Sequence, residues 1–127
     1  MSKKSSKSLL EAVETIIGGS AVFEGEIKTD KVVRVDGKFV GNIEAAGVMI
    51  GAEGQIIGNI NTIVIMIGGY VKGNISAKES IEMLPKSRVE GDITTDLLTI
   101  VEGAYFEGKS SKIKTDEEYI NTINSEE

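Results

Sequence analysis

The chain has 127 residues, the length of one domain, with 14 basic against 20 acidic side chains and a formal net charge of −6. It contains no cysteine and no histidine, which removes disulfides, thiolate nucleophiles and the imidazole most often used as general base or zinc ligand. A negative body offers no basic stripe to nucleic acid, and no apolar run reaches the ~20 residues of a membrane-spanning helix.

Residues 1–14 are rich in Ser and Lys and then acidic, with no apolar core of a secretory leader, and they are expected to form a flexible tail on a cytoplasmic protein. Lys3, Lys4 and Lys7, followed by Leu9 and Leu10, offer a weak attraction for anionic lipid, which Glu11 and Glu14 oppose. At about 1 kcal/mol per lysine the tail holds a single chain marginally, but a polymer multiplies such anchors. The inner face of a cell membrane is therefore a candidate partner.

From residue 15 a short pattern recurs. Gly25, Gly41, Gly58, Gly73, Gly91 and Gly108 are separated by 16, 17, 15, 18 and 17 residues. Two residues before them stand Phe23, Phe39, Ile56, Val71, Val89 and Phe106; two after them stand Ile27, Ile43, Ile60, Ile75 and Ile93, then Ser110. Residues two apart in a strand share a face. These positions, and the glycine between them, are expected to point inward and stack in columns, with mostly polar flanking residues outward. A second strand precedes each glycine segment, with Val33/Val35, Val48/Ile50, Ile65/Ile67, Ile81/Met83 and Leu98/Ile100 as inward pairs. Corners follow at Asp36-Gly37, Gly51–Gly54, Gly68-Gly69, Pro85-Lys86 and Glu102-Gly103.

A unit this short cannot bury its own apolar face and must stack on copies of itself. A core of Ile and Val with 5% aromatics suits strands. Residues 15–111 are therefore read as an all-β, single-domain right-handed parallel β-helix of about six coils of ~17 residues, the hand following the general crossover preference. Residues 112–127 are charged, lack the repeat, and are expected to form a second flexible tail.

Several patterns suggest chemistry and lose it on inspection. Gly103-Ala-Tyr-Phe-Glu-Gly108-Lys109-Ser110 matches a phosphate-binding loop letter for letter, but that chemistry needs a helix opening at the lysine, and no apolar helical stripe follows. Ile50–Ile60 resembles the hexapeptide repeats of acyltransferases, which depend on a histidine this chain lacks. The pairs Glu24/Glu26 and Glu90/Asp92 flank a glycine with no apolar pocket to raise a pKa, and read as a solvated face. No catalytic residue, cofactor or metal is expected. Asn42, Asn59 and Asn74 share one register, and their amides are expected to bond to each other up the stack; Asp92 at the same register is expected to end that ladder, because a carboxylate cannot donate.

Two features point to association. Val40, Met49, Ile57, Val64 and Met66 fall outward by the alternation, in the second and third coils, and are expected to form one apolar patch for a partner or a lateral contact. A solenoid also has two open ends, which monomeric relatives of this architecture close with polar units. No such cap is evident here: Ile16, Ile17 and Phe23 begin the stack, and at the other end Tyr105 and Phe106 persist where Ser110 interrupts the isoleucine column.

The ordered set Thr15-Ile-Ile-Gly, Val22-Phe-Glu-Gly25, Val35-Asp-Gly-Lys-Phe-Val-Gly-Asn-Ile43, Thr94-Thr-Asp-Leu and Glu102-Gly-Ala-Tyr-Phe-Glu-Gly108 resembles the bactofilin family over roughly residues 15 to 110. The resemblance implies a bacterial cytoskeletal protein that polymerises end to end without nucleotide into non-polar filaments. It also implies membrane contact through a short N-terminal segment, scaffolding of envelope, cell-shape or motility factors, and a C-terminal apolar coil as polymer contact. On the residues alone, a non-polymerising adaptor that presents the apolar patch stays open as a second function, and an acyltransferase-like enzyme as a third that the missing histidine opposes.

Overall fold

The computed structural model describes residues 13–113. Every element among them is a strand: β1 Val13–Ile17, β2 Val22–Lys28, β3 Val32–Val35, β4 Lys38–Glu44, β5 Gly47–Ile50, β6 Gln55–Ile57, β7 Ile60–Ile67, β8 Tyr70–Lys72, β9 Ile75–Met83, β10 Arg88–Glu90, β11 Ile93–Ile100, β12 Tyr105–Glu107 and β13 Ser110–Lys112. All pairings are parallel, each strand bonding to its counterpart one coil away. This is the expected parallel β-solenoid of six coils.

Each coil has three faces rather than two. The first stacks β1, β3, β5, then Val64–Ile67, Ser80–Met83 and Leu97–Ile100. The second stacks the start of β2 and β4 on β6, β8, β10 and β12. The third stacks the ends of β2 and β4 on the starts of β7, β9 and β11, and then β13. Among the described residues the stack opens with Val13, which pairs with Val32. Its last contacts among the described residues are Lys112 in β13 and the Ile113 amide, which donates to the Thr95 carbonyl at 3.1 Å.

The extra corner is made by the repeated glycines, and here the expectation that they sit on the inward face is corrected. Gly41, Gly58, Gly73 and Gly91 have φ of 141°, 146°, 146° and 143°, and mark the bend between the second and third faces. A Cβ built on Gly58 runs into the carbonyl oxygen of Gly41, and one on Gly73 into that of Gly58. The absent side chain would point along the stack into the adjacent coil, so only glycine fits at this closeness and this φ. The residues two before and two after do point inward, one from each flanking face.

The uneven intervals come from the other two corners. The bend from first to second face takes only Asp36-Gly37 or Gly68-Gly69 in two coils, and four residues, Gly18–Ala21, Gly51–Gly54, Leu84–Ser87 or Val101–Ala104, in the other four. Inside, Phe39, Ile56, Val71 and Val89 form one column, Ile43, Ile60, Ile75 and Ile93 a second, and the paired positions of the first face complete the core. Thr62 sits in that core, where its hydroxyl donates to the Val64 carbonyl at 3.0 Å and so is not stranded.

Candidate functional site

The two ends of the stack differ from its middle in what they leave open. Column residues of the central coils are 0–2% exposed, as at Phe39, Ile60 and Val71. In the first coil, Phe23 heads its column at 39% exposure, its ring stacked on Phe39 with centroids 5.1 Å apart. Ile17 is buried, and Ile27 is partly so. In the last coil, Phe106 and Leu98 are partly buried against the core, and Ile100, an inward position, is 45% exposed. Above the first coil and below the last, among the described residues, no polar unit closes these columns. Among the described residues, each terminal coil also carries a row of strand backbone with no ladder partner on its outer side.

The residues expected at the ends divide. Phe106, Phe23 and Ile17 belong to inward columns that reach the axial surfaces. Ile16 points outward from the first face in the same column as Arg34, and Tyr105 points outward from the second face. Tyr105 is held sideways: the Arg88 guanidinium lies 4.6 Å from its ring centroid, and its hydroxyl donates to Glu107 at 3.1 Å. That hydrogen bond first of all pushes the Tyr105 hydroxyl above its ordinary 10.0. Leu98 and Ile100 complete the lower surface. The repeat names them as inward, but only the last coil leaves them open.

The expected single apolar patch is two patches on different faces. Val40 and Ile57 are neighbours on the second face. Met49, Val64 and Met66 lie on the first, where they pack with Val32 and Val13 in a cluster separate from the core. Counting alternation through a corner joined them wrongly, because each bend resets which direction is outward. Around Val40 and Ile57 the second face is charged. Arg88 Nε donates to Glu90 at 2.7 Å and the Tyr70 hydroxyl donates to its other oxygen at 3.0 Å. The hydrogen bond from Arg88, then that from Tyr70, holds the Glu90 carboxyl below its usual range.

The third face carries the asparagine register, with a correction. Asn42 Oδ1 accepts from the Asn59 backbone N–H at 3.1 Å, Asn59 Oδ1 from that of Asn74, and Asn74 Oδ1 from that of Asp92, both at 3.0 Å. Asp92 does not end the ladder, because its Oδ1 accepts from the Lys109 N–H at 3.1 Å. The side chain only accepts, so a carboxylate serves as well as an amide. These oxygens satisfy N–H groups that the glycine bend turns away from the strand ladder.

The phosphate-loop match resolves into β12, the Gly108 bend and β13, with no helix after the lysine. Among the described residues no three His, Cys, Asp or Glu side chains are grouped to hold a metal ion, and no helix is long and apolar enough to cross a membrane. Lys3, Lys4, Lys7, Leu9 and Leu10 lie outside the described residues.

Among the described residues both ends of this parallel β-solenoid are apolar and lack a polar cap, an arrangement that favours self-association. The family model described as bactofilin, polymer-forming cytoskeletal, matches residues 15–111. The chain is 35% identical over 95 residues to bactofilin BacO of Myxococcus xanthus, covering 74% of this chain and 75% of BacO. It is 31% identical over 96 residues to BacP of the same organism, where the match covers 75% of this chain but 40% of the longer BacP. The structure of the cytoskeletal bactofilin BacA solved by solid-state NMR matches with a TM-score of 0.72 at 25% identity, over 82% of this chain and 99% of that one. The cryo-EM reconstruction of Thermus thermophilus bactofilin double helical filaments matches in fold with a TM-score of 0.67 at 24% identity, over 79% and 100%. The chain belongs to the bactofilin family of polymer-forming cytoskeletal proteins.

Proposed function

We propose that this chain joins end to end through its open first and last coils into non-polar filaments that need no nucleotide. On this reading the filaments scaffold envelope, cell-shape or motility factors on the cytoplasmic side of the membrane, and the chain is not an enzyme. The observation that carries the reading is the contrast between the sealed column residues of the middle coils and the open Phe23, Ile100, Leu98 and Phe106 at the ends. Joining buries these side chains and pairs the edge strands, and apolar burial drives association without an energy source. The twofold alternation of like ends is the arrangement that the family resemblance implies for this chain.

Purified protein without nucleotide is expected to form filaments in negative stain. Phe106→Arg places a charge in a desolvated stack, costing at least several kcal/mol per junction, and is expected to abolish filaments while leaving the β-sheet circular dichroism spectrum intact. Filaments formed by a folded Phe106→Arg protein would remove Phe106 from the junction. The adaptor reading has one observation in its favour, the apolar cluster on the first face; sedimentation of the wild-type protein as a monomer or dimer at all concentrations would select it instead.

A further inference from the structure

The third face differs from its neighbours in what it shows to the outside. One outward column runs Glu26, Asn42, Asn59, Asn74, Asp92 and Lys109. The other runs Lys28, Glu44, Asn61, Ser76, Thr94 and Ser111. An open trough follows the stack between them. Over the second to fifth coils the charged side chains of these columns are Glu44 and Asp92 alone, whereas the second face carries Lys38, Lys72, Arg88 and Glu90 over the same coils. Long charged side chains hold another sheet off, and short amides and hydroxyls let it approach. The amides are also fixed in place. Each Oδ1 is held by the next coil's N–H, and the Nδ2–H groups of Asn42, Asn59 and Asn74 have no partner among the described residues.

We propose that this face binds the same face of a second copy and so joins two filaments side by side, an inference that rests on the polymer reading given above. Charge complementarity selects the partner. A half-turn that reverses the stack lays each column over its own counterpart, with the third coil of one copy on the fourth of the other. Glu26 then meets Lys109, Asn42 meets Asp92 and Asn59 meets Asn74 in the first column. Glu44 meets Thr94, Asn61 meets Ser76 and Lys28 meets Ser111 in the second. No like charges face each other. The free Asn42 amide donates to a carboxylate, the Thr94 hydroxyl does the same, and each contact occurs twice across the axis. A slip of one coil would set Glu26 against Asp92, so the charges fix the register.

Spacing and area point the same way. The groups on this face recur once per coil, at about 4.8 Å, whereas side chains on one side of an extended peptide recur at about 6.6 Å. Another solenoid keeps step along the whole face and a lone strand does not. The face measures roughly 13 by 24 Å, or about 300 Å² per copy, against the ~800 Å² per partner of a stable complex. Single subunits therefore stay apart, and a polymer that repeats the contact along its length holds.

The test scores side-by-side pairing of full-length filaments in negative stain, with polymer yield measured separately by sedimentation. Wild-type filaments are expected in pairs. Asn61→Lys/Ser76→Lys sets four lysines against one another and leaves the asparagine ladder intact; it is expected to give single filaments at unchanged polymer yield. Glu26→Lys and Lys109→Glu are each expected to lower the paired fraction several-fold, and the double exchange to restore it. The first and sixth coils of one chain lie about 24 Å apart, beyond the screening length of about 8 Å at physiological salt, so restoration reports a contact between copies. Single wild-type filaments, pairing that survives the four lysines, or a double exchange no better than the single changes overturns the proposal. Absence of wild-type filaments removes the polymer reading and this proposal with it, whereas single filaments remove the proposal alone.

Discussion

A repeated glycine can mean many things, and at Gly58 two physical facts narrow it to one. Its φ of 146° is a region that L side chains avoid, and the Cβ it lacks would strike the Gly41 carbonyl. Gly58→Ala is expected to cost more than about 2 kcal/mol of unfolding free energy, measured by urea denaturation. Gly18→Ala, at a glycine with open space around its missing Cβ, is expected to stay within about 0.5 kcal/mol; similar losses at both would refute the steric account. The spacing of the glycines was legible in the sequence, but their conformation was not. Positions two before and two after are inward whether the middle residue lies in a strand or at a bend, so the pattern cannot tell one wide face from two faces meeting at a corner. A second residue-scale prediction concerns Glu90. A carboxyl held below its usual range contributes stability that is present above its unfolded pKa and lost as pH falls through the folded value. The pair is exposed and its contribution small. Glu90→Gln should therefore lose slightly less of its thermal midpoint than the wild type on going from about pH 6 to about pH 3; parallel curves would show that Arg88 and Tyr70 give Glu90 no net stability.

At the scale of the element, the third face depends on a ladder whose members were visible and whose atoms were not. One register holding Asn42, Asn59 and Asn74 shows which residues stack. It does not show that the acceptor is a side-chain oxygen and the donor the next coil's backbone N–H. That distinction is testable. Asn59→Asp keeps the oxygen facing Asn74 and is expected to change stability by less than about 0.5 kcal/mol, whereas Asn59→Val strands that N–H and costs about 1 kcal/mol. An amide-to-amide ladder predicts a comparable loss for both. The outer faces carry the same lesson. Val40 and Met66 both read as outward, but a coil has three outward directions, and only the corner geometry says that they look different ways.

At the scale of the molecule, the open ends were legible because a column that simply stops is a sequence fact; which end meets which is not. The two arrangements leave different remnants when one end is blocked. If like ends alternate, every second junction is made by two first coils, carrying Phe23 and Ile27, and does not involve Phe106. Phe106→Arg then destroys only the junctions between last coils and leaves dimers joined at the first coil. If instead each first coil meets a last coil, every junction contains one Phe106, and the same variant leaves monomers. Sedimentation equilibrium of folded Phe106→Arg protein is expected to give a dimer. The complementary Phe23→Arg protein is also expected to give a dimer, now joined at the last coil, with the double variant monomeric. Monomers from either single variant would establish a polar filament, because only a junction built from both ends is lost when either end is charged.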